Sequence, residues 1–158
     1  GRVKMAGLVA RDSLRLEAGL CLYGQDMDET ISVAAASLQW AIPKIRRIGG
    51  ARAGGFVGAE YTLPELQDGA ATCRIGVLAP KGVPPRSGAL IFDAETDGNQ
   101  VGLVTSGAPS PCVGQPIAML RVAVKAAADT PLFAEVRGKR LELKRIKMPF
   151  VSHRFYRG

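Results

Sequence analysis

The second half of the chain consists of short apolar runs separated by Gly, Pro and Asp. The six runs span residues 73–79, 89–94, 100–106, 117–124, 132–136 and 141–146. Apolar segments of this length, bounded by turn-forming residues, are typical of β-strands. Asp97-Gly98 and Arg137-Gly138 each lie between consecutive runs, and glycine readily adopts the positive φ that tight hairpins require. The pattern therefore predicts six antiparallel strands that form a small β-barrel or jelly-roll-like domain.

The N-terminal segment carries two conflicting signals. Apolar residues alternate with polar or small ones from Leu14 to Leu22, which favours a strand, whereas residues 10–18 are rich in good helix formers. Gly19 is placed to end a helix. We therefore predict a short helix over residues 10–18, followed by a strand over residues 20–23.

A second short helix is predicted over residues 34–38. Thr30 or Ser32 is positioned to cap this helix, because both side chains can accept a hydrogen bond from a free backbone N–H. Pro43 prevents the helix from continuing.

The Gly-rich stretch 49–58 lacks the sequence of a phosphate-binding loop and that of a dinucleotide-binding turn, so we predict a connector. A helical turn around residues 63–67 follows. The pattern then changes near Asp68-Gly69, which predicts a domain boundary. We divide the chain into an N-terminal part, residues 1–68, and a β-barrel domain, residues 69–158, and assign the fold class α+β.

The composition is that of a globular protein. Of 158 residues, 47% are hydrophobic and 22% are charged, and the longest apolar runs, such as residues 117–124, are too short to span a bilayer. Three cysteines without a CxxC pair and a single histidine, His153, predict no metal site and a compartment that keeps thiols reduced. The first residues contain neither a Met at position 1 nor a signal peptide, which is typical of a cut start.

Positive charge is concentrated at the C-terminal end. The net charge is +7, and residues 137–158 contain eight of the 21 basic residues but only one acid, Glu142. Such a surface favours acidic partners or polyanions, and a plain solvated face is an equal alternative. The residues in question are Lys139, Arg140, Lys144, Arg145, Arg154 and Arg157.

Several motifs resemble those of one enzyme family. The stretch Gly7–Gly24, which reads GLVARDSLRLEAGLCLYG, resembles the signature of the glycine cleavage T-protein family of aminomethyltransferases. The similarity continues, in order, through Ser37–Trp40, Arg74–Val77, Gly102–Gly107 and Met148–Val151. The resemblance therefore covers essentially the whole chain.

The resemblance implies an enzyme that transfers a one-carbon unit to tetrahydrofolate, its co-substrate. The unit is carried as an aminomethyl group on the lipoyl arm of a partner, H-protein, and ammonia is released. The family's catalytic aspartate and a pterin-holding glutamate match no residue of this chain, so the chain is the C-terminal remainder of a folate-binding domain plus its barrel and is expected to be inactive alone. The implied compartment is the mitochondrial matrix in a eukaryote and the cytoplasm in a bacterium.

The resemblance also implies folate-binding residues. Arg11 matches an arginine that contacts folate in the family, and Trp40 matches an aromatic residue of the same pocket. Arg74 matches an arginine that faces the central cleft. Phe155 or Tyr156 replaces the usual tyrosine near the C-terminus, and the sequence does not choose between them.

Each of these residues also has a structural interpretation. Arg11 with Asp12 makes a surface ion pair, Trp40 belongs to the core, and Arg74 forms a structural salt bridge. The solitary His153 is expected to be solvated, and Cys21, Cys73 and Cys112 to have no catalytic role.

Two other functions remain open. One is a folate-dependent relative, such as the C-terminal region of a dimethylglycine or sarcosine dehydrogenase or of an iron-sulfur assembly protein. The other is a non-enzymatic barrel that binds nucleic acid, which is disfavoured because few aromatic residues are interleaved with the basic ones. We therefore expect neither a nucleic acid nor a membrane as partner.

Overall fold

The structure is a computed structural model that describes residues 3–154. Its helices are α1 (Leu8–Glu17), α2 (Ala59–Asp68) and α3 (Val124–Ala127), and short 3-10 turns occur at Gln39–Ala41 and Lys44–Arg46. Its strands are β1 (Thr72–Leu78), β2 (Leu90–Phe92), β3 (Gln100–Ser110), β4 (Gln115–Ala123), β5 (Leu132–Val136) and β6 (Lys139–Ile146). All six predicted strands are therefore present.

The strands close into an antiparallel barrel. Their order around the barrel is β1-β4-β3-β2-β5-β6, and β6 returns to pair with β1, where Gly76 lies opposite Ile146. Closure pairs the strands on both sides and leaves no open sheet edge. The α+β fold class and the six-stranded antiparallel barrel are confirmed.

Two predicted hairpin turns are confirmed as well. Arg137 and Gly138 both have left-handed φ, 54° and 72°, and the flanking residues Val136 and Lys139 are paired. This is the two-residue hairpin loop whose backbone matches the twist of the strands. The turn that joins β2 to β3 contains Asp97-Gly98 as predicted, but Asp97, at φ 52°, adopts the left-handed conformation and Gly98 does not.

The barrel interior holds the main hydrophobic core. Alternate residues of the strands point inward and are almost completely shielded from solvent. They include Val77, Ile91, Val104, Leu120, Val122, Leu132, Ala134 and Leu143.

The outer face of β4 carries a second, smaller core beneath α1. Leu16 of α1 contacts Ile117 and Met119, and all three are fully buried. β4 is therefore covered on both faces, and α1 is fixed to the barrel wall.

Gly19 ends α1 as predicted. Its φ is 69°, its N–H donates to the carbonyl of Leu16 at 2.9 Å, and the N–H of Leu20 donates to the carbonyl of Arg15 at 2.9 Å. This pair of bonds is the Schellman arrangement that satisfies carbonyls at a helix end. The helix itself is confirmed, although it begins and ends earlier than residues 10–18.

The predicted strand at residues 20–23 is wrong. Apart from an isolated bridge at Tyr23, this segment pairs with no strand in the described part of the chain. Side chains bind its backbone instead: Asp26 accepts from the N–H of Leu22 at 2.9 Å. Three of the alternating residues, Leu14, Leu16 and Ala18, belong to α1 or to its C-cap, so the alternation does not mark a strand.

The predicted helix at residues 34–38 is also wrong. The segment forms a turn in which Ser32 caps the N–H of Ala35 at 3.1 Å, so one of the two proposed caps is used. Ser37 then adopts a left-handed φ of 57°, which ends the turn before a helix can propagate.

The remaining expectations concern the middle of the chain. Residues 49–58 form the predicted connector, and the predicted turn at 63–67 is part of the longer α2. The division at residues 68 and 69 stays a prediction. Within residues 3–154, none of the helices has the length and apolar character needed to cross a membrane.

Candidate functional site

The exposed face of α1 presents an arginine beside apolar side chains. Arg11 is exposed and lines an open hollow of about 700 Å³ together with Leu8, Leu14 and Leu20. The hollow thus combines an arginine with an apolar wall. This arrangement suits a flat ring that bears a polar or anionic edge, because guanidinium groups donate in a rigid plane while aliphatic groups cover the ring.

The expected surface ion pair of Arg11 with Asp12 is replaced by another. Asp12 is paired with Arg15 at 2.6 Å. Among the described residues Arg11 makes no salt bridge, so its guanidinium is available at the hollow.

Behind Arg11, Arg15 is the centre of a buried ionic cluster. Its Nη1 lies 2.6 Å from Oδ2 of Asp26, whose side chain is completely buried, and its Nη2 donates to the Ser106 hydroxyl at 3.0 Å. These contacts connect α1 both to the following loop and to β3. They hold the helix in a fixed position relative to the barrel.

The Asp26 carboxylate receives three further hydrogen bonds. The Thr105 hydroxyl lies 2.5 Å from Oδ1, and the Ser106 hydroxyl and the Leu22 N–H lie 2.8 Å and 2.9 Å from Oδ2. A buried charge is tolerated only when it is paired and hydrogen-bonded in this way. Sequence reasoning missed this cluster, and the signal that pointed to it was the Thr105-Ser106 pair within an otherwise apolar strand.

Trp40 is not a core residue. Its side chain is 74% exposed in the 3-10 turn Gln39–Ala41. The structural interpretation of Trp40 is therefore wrong. The hollow lined by Arg11 is not lined by Trp40, and a pocket shared by the two stays a prediction.

Arg74 fastens the N-terminal segment to the barrel. Its Nε donates to the carbonyl of Ala36 and its Nη1 to the carbonyl of Gly19, both at 2.9 Å, and Nη1 lies 3.1 Å from the Met119 sulfur. No carboxylate within residues 3–154 forms a salt bridge with it, so the predicted salt bridge is replaced by bonds to carbonyls. A contact of Arg74 with a ligand stays a prediction. Phe155 and Tyr156 lie outside the described residues.

A second hollow, of about 680 Å³, lies between the C-terminal end of α1, the turn after β3 and residues 150–154. Glu17, Cys112, His153 and Arg154 contribute polar groups to its wall. The Glu17 carboxylate accepts the Ser110 hydroxyl at 2.5 Å and the Cys112 N–H at 3.0 Å. Burial raises the pKa of Glu17, but these hydrogen bonds outweigh burial, so its pKa lies below the usual range. His153 is exposed, with Nε2 2.9 Å from the carbonyl of Ala18.

The cysteines favour the protonated thiol. Burial raises the pKa of Cys21 and of Cys73, and the neighbouring Glu17 carboxylate raises the pKa of Cys112. The thiolate is the reactive form, so none of the three is activated. In the part of the chain that the structure describes, no group of three or more His, Cys, Asp or Glu residues is placed to hold a metal.

The basic C-terminal surface is smaller than its sequence suggests. Arg140 donates to the carbonyl of Ala94 at 2.9 Å and lies over the Phe92 ring, with 3.8 Å between the guanidinium carbon and the ring centre. Arg145 donates to the carbonyls of Ala126, Ala127 and Thr130. Both arginines therefore stabilise the barrel. Lys139, Lys144 and Arg154 remain exposed, and Arg157 lies outside the described residues.

The fold and the site together define an α+β protein in which a helix bearing an exposed arginine precedes a closed six-stranded barrel. The family model of the glycine cleavage T-protein C-terminal barrel domain matches residues 73–152, and that of the GCVT N-terminal domain matches residues 1–45. The chain belongs to the glycine cleavage T-protein family.

Comparisons with individual proteins point to the same family. The chain is 45% identical over 157 residues to the probable mitochondrial aminomethyltransferase of Schizosaccharomyces pombe, a match that covers 99% of the chain and 38% of the relative. It is 45% identical over 158 residues to the mitochondrial aminomethyltransferase of Pisum sativum, covering 99% and 37%. The crystal structure of glycine cleavage system aminomethyltransferase T from Bartonella henselae superimposes with a TM-score of 0.87 at 42% identity, covering 99% of this chain and 42% of that one. The chain thus spans about two fifths of the length of these relatives.

Proposed function

We propose that the chain is the C-terminal part of an aminomethyltransferase of the glycine cleavage system. The enzyme transfers the one-carbon unit from the aminomethyl-dihydrolipoyl arm of H-protein to tetrahydrofolate and releases ammonia. The observation that supports this proposal is the position of Arg11: this residue, which matches the family's folate-contacting arginine, is exposed and lines an apolar hollow.

The residues of this chain fit a folate ligand. Leu8, Leu14 and Leu20 offer an apolar surface for a flat ring, and Arg11 offers donors for a carboxylate or a polar ring edge. When bound, tetrahydrofolate supplies the nitrogen atoms that accept the one-carbon unit. Arg11 binds and orients the folate, and the exposed indole of Trp40 provides a further flat contact.

The rest of the active site is proposed to come from the family's N-terminal half. The resemblance assigns the catalytic aspartate to a region that this chain does not match. Because rate enhancement depends on groups from both halves holding the reactants together, we expect residues 1–158 alone to be inactive.

H-protein is the proposed protein partner. The exposed cations Lys139, Lys144 and Arg154 suit an acidic surface or the acidic tail of a polyglutamylated folate. Such contacts predict that association weakens as salt is added. The proposed location is the mitochondrial matrix in a eukaryotic source, in agreement with the mitochondrial names of the relatives, and the cytoplasm in a bacterial source.

The test is transfer from aminomethylated H-protein to tetrahydrofolate by the natural full-length protein. We expect turnover that depends on both substrates, and we expect Arg11→Ala to lower kcat/KM for tetrahydrofolate at least about tenfold, since a hydrogen bond to a charged group contributes about 1.5–3 kcal/mol. Arg52→Ala, which removes an exposed loop arginine, is the matched control and should leave the rate unchanged. Folate binding without transfer from H-protein would instead favour the dehydrogenase or iron-sulfur assembly relatives.

A further inference from the structure

A small hollow that shares no lining residue with the Arg11 hollow lies between the 30–35 turn, the C-terminal half of α2 and the outer wall of the barrel. Its volume is about 240 Å³. Four parts of the chain converge there: the hydroxyl residues Thr30 and Ser32, Glu65 of α2, Thr72 of β1 and Arg121 of β4. Opposite charges therefore line a space that accommodates only a small molecule.

Glu65 contributes a carboxylate oxygen without a partner. Its Oε2 atom is shielded from solvent and accepts no hydrogen bond from the residues that the structure describes. A buried acceptor without a donor loses its hydration and gains nothing in return. Glu65 lines the hollow, so a rotation of its carboxylate presents this oxygen to a donor that binds there.

Arg121 contributes donors without an acceptor. It lies directly opposite Arg74 on the neighbouring strand, so the two guanidinium groups share the outer face of the barrel. Arg74 is occupied by the carbonyls of Ala36 and Gly19, whereas Arg121 forms no hydrogen bond and no ion pair within 4.0 Å in residues 3–154. Its charge interacts only at longer range with the exposed Asp28, whose pKa is lowered by hydrogen bonds from Thr30 and, to a smaller extent, by Arg121. Two like charges facing each other destabilise a sheet, and an anion beside Arg121 relieves that repulsion.

A direct ion pair between Glu65 and Arg121 would satisfy both groups, but the structure, which describes both residues, has none within 4.0 Å. A cation alone would leave Arg121 unpaired, and an anion alone would leave Oε2 of Glu65 without a donor. A molecule with both charges meets both requirements.

We propose that this hollow binds a small zwitterionic amine carboxylate of the free α-amino acid class. Its ammonium group donates to Glu65, and its carboxylate accepts from the planar guanidinium of Arg121. The small apolar residues of the wall, Ala35, Ala70 and Ala71, leave room for a short side chain. The site is separate from the proposed folate contact, so its failure would not affect that proposal.

The first experiment is an NMR titration of the natural full-length protein with L-alanine as the probe. Propionate, which lacks the ammonium group, and L-alaninamide, which lacks the carboxylate, serve as matched analogues. We expect saturable shifts with L-alanine and at least about tenfold weaker binding of each analogue, because each loses one charge-assisted contact. No saturable binding of L-alanine, or equal binding of an analogue, would overturn the proposal.

Variants then assign each charge. Glu65→Gln should bind L-alanine and propionate alike, and Arg121→Gln should bind L-alanine and L-alaninamide alike. The controls Glu60→Gln and Arg86→Gln change exposed residues outside the hollow and should keep the discrimination of the unaltered protein. If both site variants still bind L-alanine more tightly than the analogues, the assignment of the two charges to Glu65 and Arg121 is refuted. The comparison of L-alanine with its two analogues uses the unaltered protein, so it tests the proposal even where a variant fails to fold.

Discussion

Two aspartates contact the guanidinium of Arg15 but lie in different surroundings. The side chain of Asp12 is 45% exposed, whereas that of Asp26 is completely buried. Solvent screens the first pair, so its contribution to stability is small. Loss of the second carboxylate leaves the positive charge of Arg15 largely buried and without its main partner.

Burial therefore decides the cost of removing each charge. We expect Asp26→Asn to lower the free energy of unfolding by about 3 kcal/mol. Asp12→Asn, which removes a charge from the same guanidinium, should cost at most about 1 kcal/mol. Urea denaturation of the two variants measures both values, and equal losses would show that burial of Asp26 does not matter.

Glu17 makes the stability depend on pH. Burial alone would raise the pKa of Glu17. The hydrogen bonds from Ser110 and Cys112 lower this pKa by more than burial raises it, so the folded pKa lies below the unfolded value of about 4.3. A lowered pKa means that the carboxylate stabilises the fold above the unfolded pKa, and that this contribution is lost as the pH falls through the folded pKa.

Glu17→Gln removes that titration. Between neutral pH and about pH 3, the variant should therefore lose less stability than the unaltered protein, although it is less stable at neutral pH. Thermal melts across this range give the comparison, with Glu95→Gln, a change in an exposed turn, as the control. Parallel curves for Glu17→Gln and the unaltered protein would contradict the pKa direction.

At the scale of the elements, the turn of the β5–β6 hairpin holds one residue in an unfavourable backbone conformation. Arg137 has a left-handed φ of 54°. This backbone region favours glycine and asparagine over residues with longer side chains. Asn-Gly is the preferred pair for this two-residue turn. The strands tolerate Arg137 because the adjacent Gly138 and the paired strands determine the turn.

Arg137→Asn should therefore stabilise the protein. The expected gain is a few tenths of a kcal/mol to about 1 kcal/mol, since asparagine adopts this backbone region more readily than arginine. Arg86→Asn, at an exposed position outside the left-handed region, is the matched control and should change stability little. A loss of stability in Arg137→Asn, measured by denaturant midpoint, would show that the arginine side chain contributes to the hairpin.

The strands were predictable because their signals are local. Alternating inward residues and turn pairs such as Arg137-Gly138 determine where each strand begins and ends. The segments at 20–23 and 34–38 were not predictable, because tertiary contacts decide their structure. Arg74 binds the carbonyls of Gly19 and Ala36 from a strand more than 35 residues away, and no local pattern reveals such a bond.

The residues of the candidate site were also only partly predictable from the sequence. Arg11, Trp40 and Arg74 could be named because they lie in recognisable motifs, and the structure places the first two at the surface. Asp26 and Glu17 could not be named, since their importance depends on hydroxyl groups that distant strands bring to them.

For the whole molecule, the barrel provides the support for α1, the helix that carries Arg11. The buried contact of Leu16 with Ile117 and Met119, the Arg15–Asp26 cluster and the bonds of Arg74 all join the N-terminal segment to the barrel wall. Arg11 projects from a helix that is fixed in three ways. The barrel therefore holds in place the helix that carries Arg11, the proposed folate contact.

Tetrahydrofolate binding by the natural full-length protein, measured by calorimetry, tests the account most directly. Arg11→Ala and Trp40→Ala should each weaken binding, Arg11→Ala by at least about tenfold. Their matched controls are Arg52→Ala and Tyr61→Ala, since Tyr61 is 76% exposed and Trp40 is 74% exposed. The account predicts weaker binding in the first two variants and unchanged affinity in the controls. Unchanged affinity in both Arg11→Ala and Trp40→Ala would contradict it.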